Sequence, residues 1–166
     1  MERIDLILQN AKFKEVVAQI QKWEADRIFC HHDMGHFLDV ARIMMIMYAE
    51  YPENIKQEHP YSKELIYATA LLHDMGRAIQ YETGIPHEQA GIEIADDILK
   101  QTRFEESEIK LILASIQNHR NAQIKQDLNL NGLLYCADKA SRACFCCSTE
   151  KECNWKNDKK NLSILY

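Results

Sequence analysis

The chain has 166 residues, 46% of them hydrophobic, which is enough for one substantial core and leaves little for a second domain. Lys plus Arg number 20 against 25 Asp plus Glu, and the formal net charge of −5 opposes binding of a long nucleic-acid backbone by charge alone, while a small anion held by local cations stays open. No apolar run is long enough to span a bilayer, and the acidic start Met1-Glu2-Arg3-Ile4-Asp5 lacks the positive charge of a secretory leader, so a cytoplasmic protein without membrane contact is expected.

Only five Gly and three Pro occur, and apolar residues recur at spacings of three and four with no sustained alternation, so the predicted fold class is all-α. The first predicted helix runs from Ile4 to Trp23, with Leu8, Val16, Val17 and Ile20 on one stripe. His31 and His32 follow. A helical step of four would set His32 beside His36, but a solvent-facing helix start is the favoured reading of this pair. Phe37 to Tyr48 forms the next helix, with Leu38, Ala41, Met44 and Met45 on its apolar side, and Tyr51-Pro52 ends it. His59, beside Pro60 in a polar stretch, reads as solvated. Ser62 is a plausible N-cap for a helix through Leu65, Ile66, Ala68, Thr69, Leu71 and Leu72; it is apolar nearly all round, hence central, and Gly76 ends it. Pro86 opens a helix from His87 to about Lys100, Glu105 to His119 repeats the pattern, and a last core helix spans Leu128 to Ala143. Residues 1–143 thus form one helical domain and residues 144–166 a cysteine-containing tail, whose polar and basic stretch from Asn154 to Asn161, apart from one Trp, is expected at the surface. No internal repeat or low-complexity tract interrupts this order.

Six side chains along these helices suit a hard divalent metal: His36, the pair His73-Asp74, His87, His119 and Asp138. Together they exceed what one tetrahedral zinc needs and suffice for two ions sharing a carboxylate. Asp74, with two oxygens, is the expected bridge. His36, His73 and Asp138 would complete one ion's shell, and His87 and His119 would bind the other. Iron or manganese is favoured, with zinc, cobalt, nickel and magnesium open. Two such ions acidify a water and clamp a phosphoryl group, which points to metal-assisted hydrolysis. Fixed cations beside the ligands, Arg77, Lys139 and Arg142, are assigned with Asp74 to the catalytic set. Each has a competing reading: Arg142 as an i,i+4 partner of Asp138, Arg77 as a complement to the end of the central helix, Lys139 as a residue turned away from the site. Cys144, Cys147 and Cys153, with Cys146 as a fourth thiol, are close enough in sequence for a structural zinc. The favoured alternative is unpaired thiols packed around Trp155 and Phe145, since Cys30 would have to come from across the fold to complete a second pair.

These residues carry a family resemblance. His36 in His36-Phe37-Leu38-Asp39-Val40, His73-Asp74 in Leu71-Leu72-His73-Asp74-Met75-Gly76-Arg77 and Asp138 in Ala137-Asp138-Lys139 resemble the signature of the HD superfamily of metal-dependent phosphohydrolases, over roughly Cys30 to Arg142. His87 and His119 fall where the two-metal branch places its extra ligands. Their short motifs, with Asp138-Lys139 and Arg142, look more like the enzymes that split diadenosine tetraphosphate symmetrically than like the cyclic-dinucleotide phosphodiesterases, because a Gly-Tyr-Pro motif is missing. The cysteine-rich end departs from both, and the chain looks like a small bacterial HD group. The resemblance implies a single-domain helical bundle, two divalent ions and a small phosphorylated substrate such as a nucleotide; a homodimer is open. Two alternatives stay open: a diiron oxygenase of the same superfamily, and a non-catalytic nucleotide-binding regulatory domain.

Overall fold

In a computed structural model, which describes residues 1–166, Asn10 divides the first expected helix in two. Its backbone is extended and its side chain accepts hydrogen bonds from the amides of Lys12 and Phe13, so α1 (Glu2–Gln9) stops and α2 (Ala11–Trp23) begins on a capped turn. The apolar stripe continues across the break, which is why periodicity alone merged the two. Helix α3 (Met34–Ala49) starts at Asp33, whose carboxylate accepts from the His36 amide. After Pro52 comes a short polar helix, α4 (Glu53–Glu58), which has no buried residue to announce it. His59 then stacks on Tyr61 rather than standing free, with ring centroids 5.7 Å apart.

Ser62 caps α5 (Lys63–Leu72), accepting from the Leu65 amide at 3.1 Å. Seven of the ten residues of α5 are buried, which makes it the central helix. Helix α3 lies along it, α8 (Glu106–Asn118) packs on another side, and α9 (Leu130–Ala140) bridges α3 and α8. The outer layer is made by α1, α2, α6 (Arg77–Thr83) and α7 (His87–Gln101). Phe37, Met44, Ile66, Leu71, Leu72, Ile98 and Ile112 are fully buried between these helices. Truncating any one of the leucines to Ala removes about 2–5 kcal/mol.

Gly76 does not end α5 in a left-handed turn. Its φ is −68°, α5 stops at His73, and Gly76 starts α6. A Cβ at Gly76 would lie 2.0 Å from the His87 carbonyl oxygen and 2.5 Å from the Gly91 amide nitrogen, so glycine is there to let the first turns of α6 and α7 touch. That close approach carries His87 to the end of the central helix. Helix α9 is shorter than expected at both ends, because Asn129 caps its start and the Asn161 side-chain amide donates to the carbonyls of Lys139, Ala140 and Arg142 at its finish. The chain has helices and turns only, and none of the helices is long and apolar enough to cross a membrane.

Candidate metal centre

Five different helix ends meet at Asp74, which lies just past α5 and is buried. His73 is the C-cap of α5, His36 sits in the first turn of α3, His87 is the first residue of α7, His119 is the C-cap of α8, and Asp138 lies in the last turn of α9. The structure therefore brings together all six of the side chains singled out in the sequence. Two triads form around the shared carboxylate: His36, His73 and Asp74, and Asp74, His87 and His119, each with its ligand atoms within 4.8 Å of one another.

The two Asp74 oxygens face different partners. Oδ2 is 3.4 Å from His73 Nε2 and 3.7 Å from His36 Nε2. Oδ1 is 3.0 Å from His87 Nε2 and 3.7 Å from His119 Nε2. Asp138 Oδ1 adds a second carboxylate oxygen, 3.6 Å from His36 Nε2 and 3.9 Å from His73 Nε2.

The outer ring nitrogens explain the orientation. His73 Nδ1 donates to the Ala70 carbonyl at 2.7 Å, His119 Nδ1 to the Ile116 carbonyl at 2.5 Å, and His87 Nδ1 to Gln80 Oε1 at 2.8 Å. With the proton on Nδ1, each Nε2 presents a lone pair to the centre. Yet the Nε2 atoms of His87 and His119 stand 3.0 Å apart, and those of His36 and His73 3.3 Å. In the His87–His119 pair, where both Nδ1 protons are taken by oxygen acceptors, facing lone pairs at that distance repel unless a cation lies within reach of both, and with Asp74 and the His36–His73 pair the donor set fits divalent metal ions. Electrostatics agree. Burial opposes ionisation of Asp74, but the electrostatic pull of the adjoining His73 ring and of the Arg77 guanidinium outweighs it and holds its carboxyl well below the usual range. Burial likewise lowers His87 to about 4, which keeps its imidazole neutral and free to ligate.

A cavity of about 760 Å³ opens over this centre. Arg77, Lys139 and Arg142 are among its lining residues, each with a local partner. Arg77 Nε donates to Asp74 Oδ1 at 3.2 Å, and Lys139 pairs with Asp138. Arg142 makes no i,i+4 bridge to Asp138; its Nε donates to the Lys139 carbonyl and its guanidinium stacks over Trp155 at 4.7 Å. Arg27, Arg120, Lys125 and Lys159 join them, and Asp138 and Asp158 are the only carboxylates in the lining. Sequence reasoning did not single out these four cations, which come from irregular segments and single 3-10 turns too short to show periodicity.

His32 is a correction. It faces inward, not toward solvent, because α3 begins only at Met34 and leaves His32 in the preceding loop. Its Nδ1 is 2.5 Å from Glu24 Oε1 and its Nε2 is 3.7 Å from Asp74 Oδ2. Burial would raise the Glu24 carboxyl, but hydrogen bonds from His32 and Tyr81 prevail and hold it at about 2. The structural zinc considered for Cys144, Cys147 and Cys153 does not take shape either: the only ligand triads within single-ion reach are the two at Asp74.

Comparison with known proteins follows the same residues. The family model described as "HD domain" matches residues 33–143, which contain all six converging side chains. A relative described as "Uncharacterized protein", from Clostridium beijerinckii (strain ATCC 51743 / NCIMB 8052), is 42% identical over 166 residues and covers the whole of both chains. No solved structure matches the chain.

Proposed function

The chain belongs to the HD-domain family, and from that premise we propose that it is a metal-dependent phosphohydrolase acting on a small phosphorylated compound, a nucleotide above all, through two divalent ions. The observation that carries the reading is the pair of opposed Nε2 contacts on either side of one buried carboxylate. In this reading His36, His73, Asp138 and Asp74 Oδ2 hold one ion, and His87, His119 and Asp74 Oδ1 hold the other. When bound, the ions supply a water of lowered pKa and neutralise charge on a phosphoryl group.

The chain's own groups do the rest. Arg77, Lys139 and Arg142 bind and orient the phosphate oxygens, and the four further cations of the cavity extend that attraction along a polyphosphate. Tyr135 and Trp155 line the same cavity and offer apolar faces to a base. His32 takes the proton-transfer role, since Glu24 holds its Nδ1 and leaves Nε2 open beside Asp74. The excess of cations favours a phosphorylated substrate over the small organic substrate of an oxygenase.

The test is a screen of manganese, iron, cobalt, nickel and magnesium against dinucleoside polyphosphates, nucleoside mono-, di- and triphosphates and cyclic nucleotides, read as released product. Asp74→Ala is expected to abolish turnover and strip the metal while keeping the helical circular-dichroism signal. Full activity in that variant, or oxygen consumption by the reduced-iron protein with no phosphate product from any nucleotide, overturns the reading.

A further inference from the structure

Five of the six cysteines, Cys30, Cys144, Cys146, Cys147 and Cys153, line a second cavity of about 440 Å³ that shares His36, Arg142 and Trp155 with the larger one. They come from two loops far apart in the chain, one leading into α3 and one following α9. The loops are tied by Thr149 Oγ1, which donates to the Ile28 carbonyl at 2.9 Å. Arg27 Nε braces the first loop on the Cys30 carbonyl at 2.7 Å. Cys30 is exposed as a residue, but its thiol is pushed up by partial desolvation and by the neighbouring Cys144 and Cys147 thiols. Lys160 reaches the same cavity with its side chain 6% exposed, paired to Glu150 at 2.6 Å, and places a cation beside Cys153 and Cys144.

The lack of a tight thiol triad bears on the kind of centre. A tetrahedral zinc with Zn–S of about 2.3 Å draws its sulfurs to about 3.8 Å from one another. No three thiols come within 4.8 Å of each other, although four or more surround one cavity and none is paired in a disulfide. Thiols set around one cavity without a tight triad leave room for a polynuclear iron–sulfur core, in which inorganic sulfide and several irons lie between the ligands. The order fits too: a local run, Cys144-x2-Cys147-x5-Cys153, closed by one distant cysteine, Cys30. Cys146 is exposed and its thiol is engaged with the Ala143 carbonyl, which removes it from the ligand set.

We propose that Cys30, Cys144, Cys147 and Cys153 hold an iron–sulfur cluster that staples the loop before α3 to the segment after α9. The first loop carries His32 and the second carries Arg142, so the staple sets one wall of the larger cavity. Its role in this arrangement is structural, and no electron transfer is required.

Acid-labile sulfide and visible sulfide-to-iron charge-transfer absorption, measured on the full chain expressed and purified without oxygen, test the proposal. The His/Asp centre contains no sulfide, so the sulfide count reports the thiol site alone and is expected to persist in Asp74→Ala. The expected result is about two or about four sulfides per chain, since four cysteines hold either cluster type, lost completely in Cys30→Ser and in Cys144→Ser, and retained in Cys136→Ser and Cys146→Ser. Circular dichroism on each variant separates loss of the cluster from loss of the fold, and the wild-type count depends on no variant. Sulfide-free protein, sulfide that survives Cys144→Ser with Cys153→Ser, or one zinc per chain lost in Cys144→Ser without any sulfide would each overturn it.

Discussion

Glu24 and His32 show how much one pair of side chains adds to the centre. Glu24 is 3% exposed, and its acceptor oxygens fix the His32 tautomer while receiving the Tyr81 hydroxyl. Glu24→Gln is expected to lower kcat by about 10- to 100-fold with bound metal unchanged, a typical effect of losing a partner that orients an imidazole; loss of metal in parallel would instead make His32 a ligand. The same carboxylate gives a pH signature. Its folded value of about 2 lies below the ordinary 4.5, so the stability it contributes is present above about 4.5 and is lost as pH falls toward 2. Thermal melts at pH 5 and pH 3 should therefore show a smaller drop in Tm for Glu24→Gln than for the wild type, and equal drops would contradict the assignment. The sequence made the six central residues legible because each stands at the end or start of an apolar helix. His32 and Glu24 were not legible, since a loop joins them and a loop has no period to read.

At the scale of helices, the crossing of α6 and α7 is the element on which the second triad depends. A Cβ at Gly76 must displace the His87 carbonyl, so Gly76→Ala is expected to cost about 1–3 kcal/mol in urea unfolding and to reduce metal retention through the shift of His87. A variant that unfolds like the wild type and keeps its metal would show that the close approach is dispensable. Asn10→Ala separates stability from function: removing this cap should cost about 1 kcal/mol and leave metal content and turnover unchanged, because Asn10 caps the end of α2 opposite to Glu24. Caps account for most of the differences between expected and observed helices. Asn10, Asn129 and Asn161 each end or start a helix by hydrogen bonds to backbone groups, whereas apolar periodicity runs through the first of these breaks and past α9 at both ends. Central α5 was readable because its apolar residues encircle it; α4 was not, because nothing in it is buried.

For the molecule as a whole, the telling contrast is between a net charge of −5 and a cavity lined by seven cations and two carboxylates. Concentrating positive charge at one mouth of an acidic protein steers a small anion to it and repels a long polyanion elsewhere on the surface. Lys125→Ala combined with Lys159→Ala is expected to raise KM for a phosphorylated substrate more than it lowers kcat, with the effect shrinking as salt is added; an equal fall in kcat would place these lysines at the reacting phosphorus. The cavity could be read only in part, through its helical ligands and their neighbouring cations, because the rest of its lining comes from the loop of residues 27–32, the stretch after α8 and the segment from Cys153, which have no apolar period to place them. The central claim, that four imidazoles and two carboxylates gathered by five helix ends hold a pair of ions, is tested most directly by titrating the metal-free chain with manganese without oxygen. Two ions per chain in the wild type, one in His119→Ala and none in Asp74→Ala is the result this account predicts; a wild-type chain that takes up no manganese, or that loses nothing in Asp74→Ala, would contradict it.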